Sequence, residues 1–324
     1  MTHAIRIHET GGPDVMKWEE VEVGTPGEGE LRVTHKAVGL NYIDVYHRSG
    51  LYPMELPSGI GLEASGVVEE VGPGVEEIKA GDRVAYSFPP LGAYSEARTL
   101  PAEHVVKVPD SIDDETAAAM MLQGMTVQYL IRRTYRVKQG DTVLFHAAAG
   151  GVGQIACQWL KALGVTTIGT VGSDEKAEIA KSMGCTHTVN YREEDFVARV
   201  KEITDGAGVP VVYDSVGKDT FEGSLDCLAP MGMLVSFGNA SGAVTEFNPG
   251  VLAQKGSLFL TRPTLMTYTA KRSDLVATAN ELFEVVGSGA VKININQRYP
   301  LKDAVQAHKD LEARKTTGST IFEV

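Results

Sequence analysis

Long apolar runs are missing from this 324-residue sequence, and none approaches the roughly 18 residues that a membrane-spanning helix needs. Cysteine is scarce. Cys157, Cys185 and Cys227 are an odd number with no close pair, which fits neither a disulfide framework nor a Cys-x-x-Cys zinc site. Each is expected as a small buried apolar residue. Positive charge is in deficit as well: 30 Lys and Arg stand against 42 Asp and Glu, a net charge of −12. That balance argues against a general nucleic-acid surface and leaves room only for a local basic groove. The opening "MTHAIRIHET" carries no signal-peptide apolar region, so a cytoplasmic protein is expected. There is no internal repeat and no low-complexity tract. What is present, 43% hydrophobic and 22% charged residues, is ordinary for a globular chain long enough for two domains.

Residues 1 to about 110 hold short alternating segments, "AIRIHE", "ELRVTHKAV", "SGVVEEVG", "DRVAYSF" and "HVVKVP", separated by glycine and proline turns. Such spacing predicts an antiparallel, barrel-like β unit. From about residue 111, "DSIDDETAAAMMLQGMTVQYLIRRT" opens on Ser and Asp cap candidates and continues at helical spacing. Between 140 and 260 strands and helices alternate, the rhythm of a parallel doubly wound sheet. Val152, Ile155, Ala156, Trp159, Leu160 and Leu163 form the apolar stripe of its first helix. Two more helices and a short extended tail follow, and the tail is expected to return to the N-terminal domain.

The segment "AAGGVG", from Ala148 to Gly153, sits between a predicted strand and a predicted helix. Set against G-x-G-x-x-G, it has Gly150 and Gly153 at the second and third key places and Ala148 at the first. Gly150 would let backbone approach a pyrophosphate, Gly153 would let helix and strand pack closely, and the amides of the helix start would meet phosphate charge. A dinucleotide site is therefore predicted. About 20 residues on, where an NAD site places a carboxylate for the ribose 2′-hydroxyl, the chain reads Gly172, Ser173, Asp174, Glu175, Lys176. No acid stands at the strand end itself. Ser173 as donor and Lys176 as charge partner suit a 2′-phosphate, which favours NADP over NAD, while Asp174 and Glu175 suit a first helical turn.

The motifs "GLNYIDVYHRSGLYP", "PSGIGLEASGVVEEVG", "GDRVAY", "FHAAAGGVGQIACQWLKALG", "VNYREEDF", "VYDSVG" and "FGNASG" are together similar to those of the medium-chain dehydrogenase/reductase superfamily. The likeness is to its zeta-crystallin-type quinone oxidoreductase branch and spans nearly the whole chain. It implies an α/β protein with a GroES-like β-rich catalytic domain over 1–124, completed by about 262–324. A Rossmann doubly wound parallel-sheet domain over 125–261 and a cleft between the two are implied with it. Carried over position by position, the resemblance implies NADPH contacts at Asn41, Tyr42, Tyr46, Tyr129, Gly151, Val152, Gly172, Ser173, Lys176, Tyr191, Ser215, Phe237, Gly238, Ala240 and Arg314. Ala240 departs from relatives that often carry serine there, which leaves one polar contact open. A homodimer is implied too, joined through the strand near "SLFLTRP".

Zinc-dependent members of the superfamily place a cysteine at the position of Asn41 and a histidine at that of Leu62, and carry a four-cysteine lobe that this chain lacks. Neither residue is a plausible ligand, so no catalytic zinc is expected. The eight histidines show no i, i+4 metal pair; structural roles are their default, with His47 and His146 nearest the presumed cleft. Without a Lewis acid, a substrate that already accepts electrons is the natural one, and quinones and conjugated enones qualify. The expected reaction is zinc-independent reduction of a quinone by NADPH, as hydride or by single-electron transfer. Tyr42, Tyr46 and Tyr52 are candidates for the substrate wall or for plain packing. Arg48 either steadies a reduced, anionic oxygen or is a solvated surface arginine. An enone or alkenal reductase is the alternative enzyme. A cofactor-binding structural or RNA-binding zeta-crystallin-like protein is the alternative of another class.

Overall fold

The computed structural model describes residues 1–324. The chain divides into two compact units: 1–125 with 269–287 and 293–324, and 126–268 with 288–292.

The second unit is built on six strands: β1 (Thr142–Phe145), β2 (Thr166–Val171), β3 (His187–Asn190), β4 (Val209–Asp214), β5 (Leu228–Ser236) and β6 (Phe259–Thr261). Their order is β3-β2-β1-β4-β5-β6, and every neighbouring pair is parallel. This is the order of a doubly wound dinucleotide fold, in which the winding reverses between β1 and β4. The central strands are near-continuous apolar runs because helices cover both of their faces, and Val143, Leu144, Phe145, Val211 and Val212 are buried. The first crossover helix, Gly151–Ala162, turns Ile155, Ala156, Trp159 and Leu160 inward as its 3.6-residue stripe requires. All three cysteines are buried, and Cys157 and Cys185, remote in sequence, meet within one small apolar cluster.

In the first unit a seven-stranded sheet runs Ile295–Pro300, Ser319–Glu323, Glu30–Leu40, Glu63–Val71, Arg83–Ser87 and Val106–Lys107, with Ala97–Pro101 also paired to Glu30–Leu40. Its pairings are antiparallel except that of Ile295–Pro300 with Ser319–Glu323. Met16–Val21, Thr2–Ile7 and Ser58–Gly59 form a smaller sheet. Leu31, Val33, Val38, Val68, Val84, Tyr86, Tyr94 and Phe322 meet in the core. Thr320 to Glu323 pair with Leu40 to Ala37, so the C-terminal tail joins the sheet of the N-terminal segment. Met16–Val21 and Ala97–Pro101 lack a clean in-out alternation, which hides both from a pattern reading. Asp113 caps the following helix by accepting from Thr116 N at 2.7 Å; the helix runs Asp114–Tyr129 and widens into a π turn at Leu130–Thr134.

Candidate active site

At the end of β1 the chain turns through Ala147, whose φ of 54° places a residue with a β-carbon in the left-handed region. The strained residue is thus Ala147, not Ala148. The Ala148 methyl is buried, and a β-carbon on Gly169 of β2 would lie 2.6 Å from it, so the alanine at the first fingerprint place is accommodated by a glycine on the next strand. Gly150 is the N-cap of helix Gly151–Ala162. A β-carbon on Gly153 would press on the Ala147 carbonyl and lie 2.7 Å from Ala148 C and Cα, the close helix–strand approach expected of the third glycine. Gln154 N donates to Gly150 O at 2.8 Å; the amides of Gly151, Val152 and Gly153 precede it at the positive end of the helix dipole.

After β2, Ser173 caps helix Asp174–Ser182, its hydroxyl oxygen accepting from Lys176 N at 3.3 Å. Asp174, the nearest carboxylate, accepts from Asn190 Nδ2 at 3.1 Å and is thereby tied to the end of β3. Tyr191 N donates to Val171 O at 3.1 Å, which draws the segment after β3 alongside. A β-carbon on Gly172 would lie 3.0 Å from the Tyr191 hydroxyl and 3.7 Å from Arg192 Nε. Gly172, Ser173, Lys176 and Tyr191 therefore share one corner, joined by Arg192. Sequence reasoning passed over Arg192, although it stands beside Tyr191 in "VNYREEDF"; what places it is the register of β3 beside β2.

At the ends of β4 and β5, Ala240 N donates to Ser215 O at 3.2 Å, and a β-carbon on Gly238 would lie 2.9 Å from Ser215 Cα. Ser215, Gly238 and Ala240 thus lie together, with Phe237 just before them and its N–H donating to Asp214 O at 2.7 Å. The Tyr129 ring is buried and stacked on Tyr268 at 4.6 Å. His146 is buried between Thr170 and Ser224 hydroxyls, 2.8 and 2.9 Å from its two ring nitrogens, and burial lowers its pKa. The two nitrogens tie β2 to the helix Phe221–Asp226, which makes the role of His146 structural.

In the first unit, Asn41 precedes helix Tyr42–Ser49, and the Asp44 carboxylate accepts from Asn41 N at 2.9 Å. Tyr42, Tyr46 and Tyr52 form a ladder of rings with centroids 5.5 and 5.2 Å apart, and His47 meets Tyr52 edge-on at 5.6 Å. The three tyrosines named from sequence are therefore brought together. Burial raises the Tyr42 pKa, and the Glu312 carboxylate adds to the rise. Arg314, at the end of helix Ala304–Glu312, is exposed and in the left-handed region at φ 59°.

Arg48 corrects the sequence reading. It is 1% exposed, not a solvated surface residue. Its Nη1 and Nη2 donate to Glu312 at 3.0 and 2.9 Å, and Nη1 lies 3.3 Å from His308 Nδ1. His308 Nε2 stands 3.1 Å from the Tyr94 hydroxyl, which donates to Asp44 at 2.9 Å. A guanidinium so engaged holds two elements together and has its ion-pairing face filled by a carboxylate, which removes it as an anchor for a substrate oxygen.

Two family models match the chain: one described as an alcohol dehydrogenase GroES-like domain over residues 27–110, the other as a zinc-binding dehydrogenase over 151–283. A quinone oxidoreductase of Pseudomonas aeruginosa is 56% identical over 323 residues, 99% of each chain. The chain belongs to the quinone oxidoreductase family of the medium-chain dehydrogenases/reductases. A second member-like relative is a 2-haloacrylate reductase of Burkholderia, 48% identical over 329 residues and 99% of each chain. The crystal structure of the Escherichia coli quinone oxidoreductase complexed with NADPH superposes with a TM-score of 0.98 at 53% identity, covering 99% of this chain and 100% of that one. Although one family model carries a zinc-binding description, this quinone oxidoreductase family member has Asn41 engaged by the Glu63 carboxyl and the Gln123 carboxamide, and a buried apolar Leu62, at the ligand positions. No group of three or more His, Cys, Asp or Glu is placed to hold a metal ion.

Proposed function

We propose that the protein reduces quinones with NADPH and without zinc. The observation that carries this is the pairing of a dinucleotide loop with a corner beyond β2 that holds Lys176 and Arg192 and whose Asp174 carboxylate is engaged by Asn190. The first-turn amides of Gly151, Val152 and Gly153 face a pyrophosphate, Gly150 N being bonded to Ala147 O, and Gly172, Ser173, Tyr191, Lys176 and Arg192 surround the place of a 2′-phosphate with donors and two positive charges. Asp174 is tied to Asn190 and does not compete for the ribose.

The nucleotide is assigned to the unit containing 126–268, with Tyr129, Ser215, Phe237, Gly238 and Ala240 as further contacts. Asn41, Tyr42, Tyr46 and Arg314 of the other unit are assigned to its nicotinamide half. NADPH, when bound, supplies the reducing equivalents. The chain's own part is to hold and orient. The Tyr42, Tyr46 and Tyr52 rings, tilted 59° and 63° to one another, offer an aromatic wall against which a quinone packs, and water supplies its protons.

A second reading, reduction of an activated C=C bond, is favoured by the identity with the 2-haloacrylate reductase and shares every cofactor residue. No helix is long and apolar enough to cross a membrane, in keeping with a cytoplasmic enzyme. The edge position of β6 and the 57% exposure of Phe259 suit a homodimer joined sheet edge to sheet edge. Parallel titrations with NADPH and NADH, read by nicotinamide fluorescence, test the cofactor assignment. Tighter NADPH binding is expected, and equal affinity would overturn it.

A further inference from the structure

Glu63 opens the strand Glu63–Val71 and is 1% exposed. Space for its carboxyl exists because Gly39 has no side chain: a β-carbon there would lie 2.7 Å from Glu63 Cδ and 2.5 Å from Ala118 O. From this carboxyl a line of buried amides runs inward. Glu63 Oε1 accepts from Leu122 N at 2.8 Å, and Oε2 lies 2.5 Å from the Asn41 carboxamide. The other end of that amide lies 3.1 Å from the Gln123 carboxamide, whose far end lies 3.1 Å from Ser319 Oγ, itself 3.1 Å from Ala119 O.

A carboxamide can be turned end for end without moving its neighbours, so this line has two consistent directions. With Glu63 ionised, Asn41 Nδ2 donates to it, Gln123 donates to Asn41, and Ser319 spends its one proton on Gln123, leaving the Ala119 contact without a hydrogen. With Glu63 neutral, every arrow reverses. The acid O–H donates to Asn41 Oδ1, Asn41 Nδ2 to Gln123 Oε1, Gln123 Nε2 to Ser319 Oγ, and the Ser319 hydroxyl to Ala119 O. The second arrangement fills every contact along the line from Glu63 to Ala119, and gives up the Asn41 side-chain contact to Asp44 N. It also suits the 2.5 Å separation at Glu63, which is short for N–H···O and normal for O–H···O.

We propose that Glu63 is held as the neutral acid and acts as a positioning residue, its O–H fixing which end of the Asn41 amide lies toward Gln123 and hence which face Asn41 offers to the nicotinamide. The last step rests on the assignment of Asn41 to the cofactor. No cation touches the line: Leu122, Gln123, Ala118 and Ser319 are uncharged, Ser87 pairs beside Glu63 on the neighbouring strand, and the titratable groups facing it are Asp44 and, beyond, Tyr94. Burial lifts the Glu63 carboxyl to about 8, against the pull of the Asn41 and Leu122 hydrogen bonds and with help from Asp44. Above that pH the line reverses and the Asn41 amide turns over.

The test is infrared difference spectroscopy of the full chain with pH, run beside NADPH titrations of wild type and E63Q from pH 7 to 9, above the 2′-phosphate transition near pH 6. A protonated-carboxyl band should be present at pH 7 in wild type, fade through about pH 8 and be missing in E63Q. Asp44, which burial lifts to about 7, gives an earlier band that survives the substitution. The wild-type Kd for NADPH should rise about tenfold across the range, the worth of one misdirected hydrogen bond. That of E63Q, whose amide donates at every pH, should stay flat. A Glu63 that is ionised throughout, or identical pH profiles for the two proteins, overturns the proposal. Loss of NADPH binding at every pH overturns the cofactor assignment instead, and the wild-type band still reports on Glu63 even if E63Q does not fold.

Discussion

Replacing Gly153 by alanine separates what the glycine loop does for the fold from what it does for a ligand. The new β-carbon would start 2.7 Å from two Ala148 atoms and nearer still to the Ala147 carbonyl, while ordinary contact begins at 3.4 Å, so loop or helix must give by at least about 0.7 Å. Overpacking of this kind costs about 1–3 kcal/mol, offset by up to ~1 kcal/mol of helix propensity, which leaves a net loss of about 1 kcal/mol in the absence of ligand. The same displacement moves the amides of Gly151 and Val152, and misaligned hydrogen bonds to a charged phosphate should weaken NADPH binding roughly 10–100-fold. Gly150→Ala is the control. Its φ of −75° suits any residue and its nearest neighbour is Ala147 O at 3.2 Å, so stability should stay within about 0.5 kcal/mol. NADPH affinity should nevertheless fall comparably, because the methyl stands where the pyrophosphate passes. Denaturant unfolding of each apo variant, paired with NADPH titration, measures both effects. Wild-type NADPH affinity in both variants would refute the reasoning.

Three further outcomes follow from the same geometry. Lys176→Ala combined with Arg192→Ala should weaken NADPH roughly 10–100-fold and leave NADH within about twofold, since only the 2′-phosphate meets these charges; a parallel loss of NADH would remove them from that role. Burial and Arg48 push His308 down to about 3, below its unfolded 6.5, so the native state refuses a proton that the unfolded chain accepts and stability is lost as pH falls below about 6.5. His308→Gln, which keeps an acceptor and a donor, should shrink the stability difference between pH 6.5 and 5 by about 2 kcal/mol; an unchanged difference in urea unfolding contradicts the neutral assignment. Light scattering should give a dimer mass for the wild type and a monomer mass for Phe259→Lys, whereas a monomeric wild type rules out pairing through β6.

The parallel sheet was legible in the sequence because both faces of each strand are covered, so apolar runs alternate cleanly with amphipathic helices. The tyrosine ladder was legible because Tyr42 and Tyr46 sit one helical turn apart with Tyr52 just beyond. Arg48 was not. Its burial depends on Glu312 and His308, more than 250 positions away, and no local pattern announces a partner at that distance. Arg192 stayed hidden for a related reason, since only the pairing of β3 with β2 brings it to Gly172. The Glu63 line shows the limit most plainly. Asn41 and Leu62 were read for what they could not ligate, but that Glu63, Asn41, Gln123 and Ser319 join through their side chains is decided by two separate strands, a helix and the start of another helix.

The most direct test of the central claim is NADPH consumption by the purified protein with 1,4-benzoquinone and, in parallel, an alkenal. Rapid, saturable, quinone-dependent oxidation of NADPH, unaffected by a zinc chelator and slower with the alkenal or with NADH, is the predicted result. A protein that binds NADPH yet consumes it faster with the alkenal, or not at all with the quinone, contradicts the account.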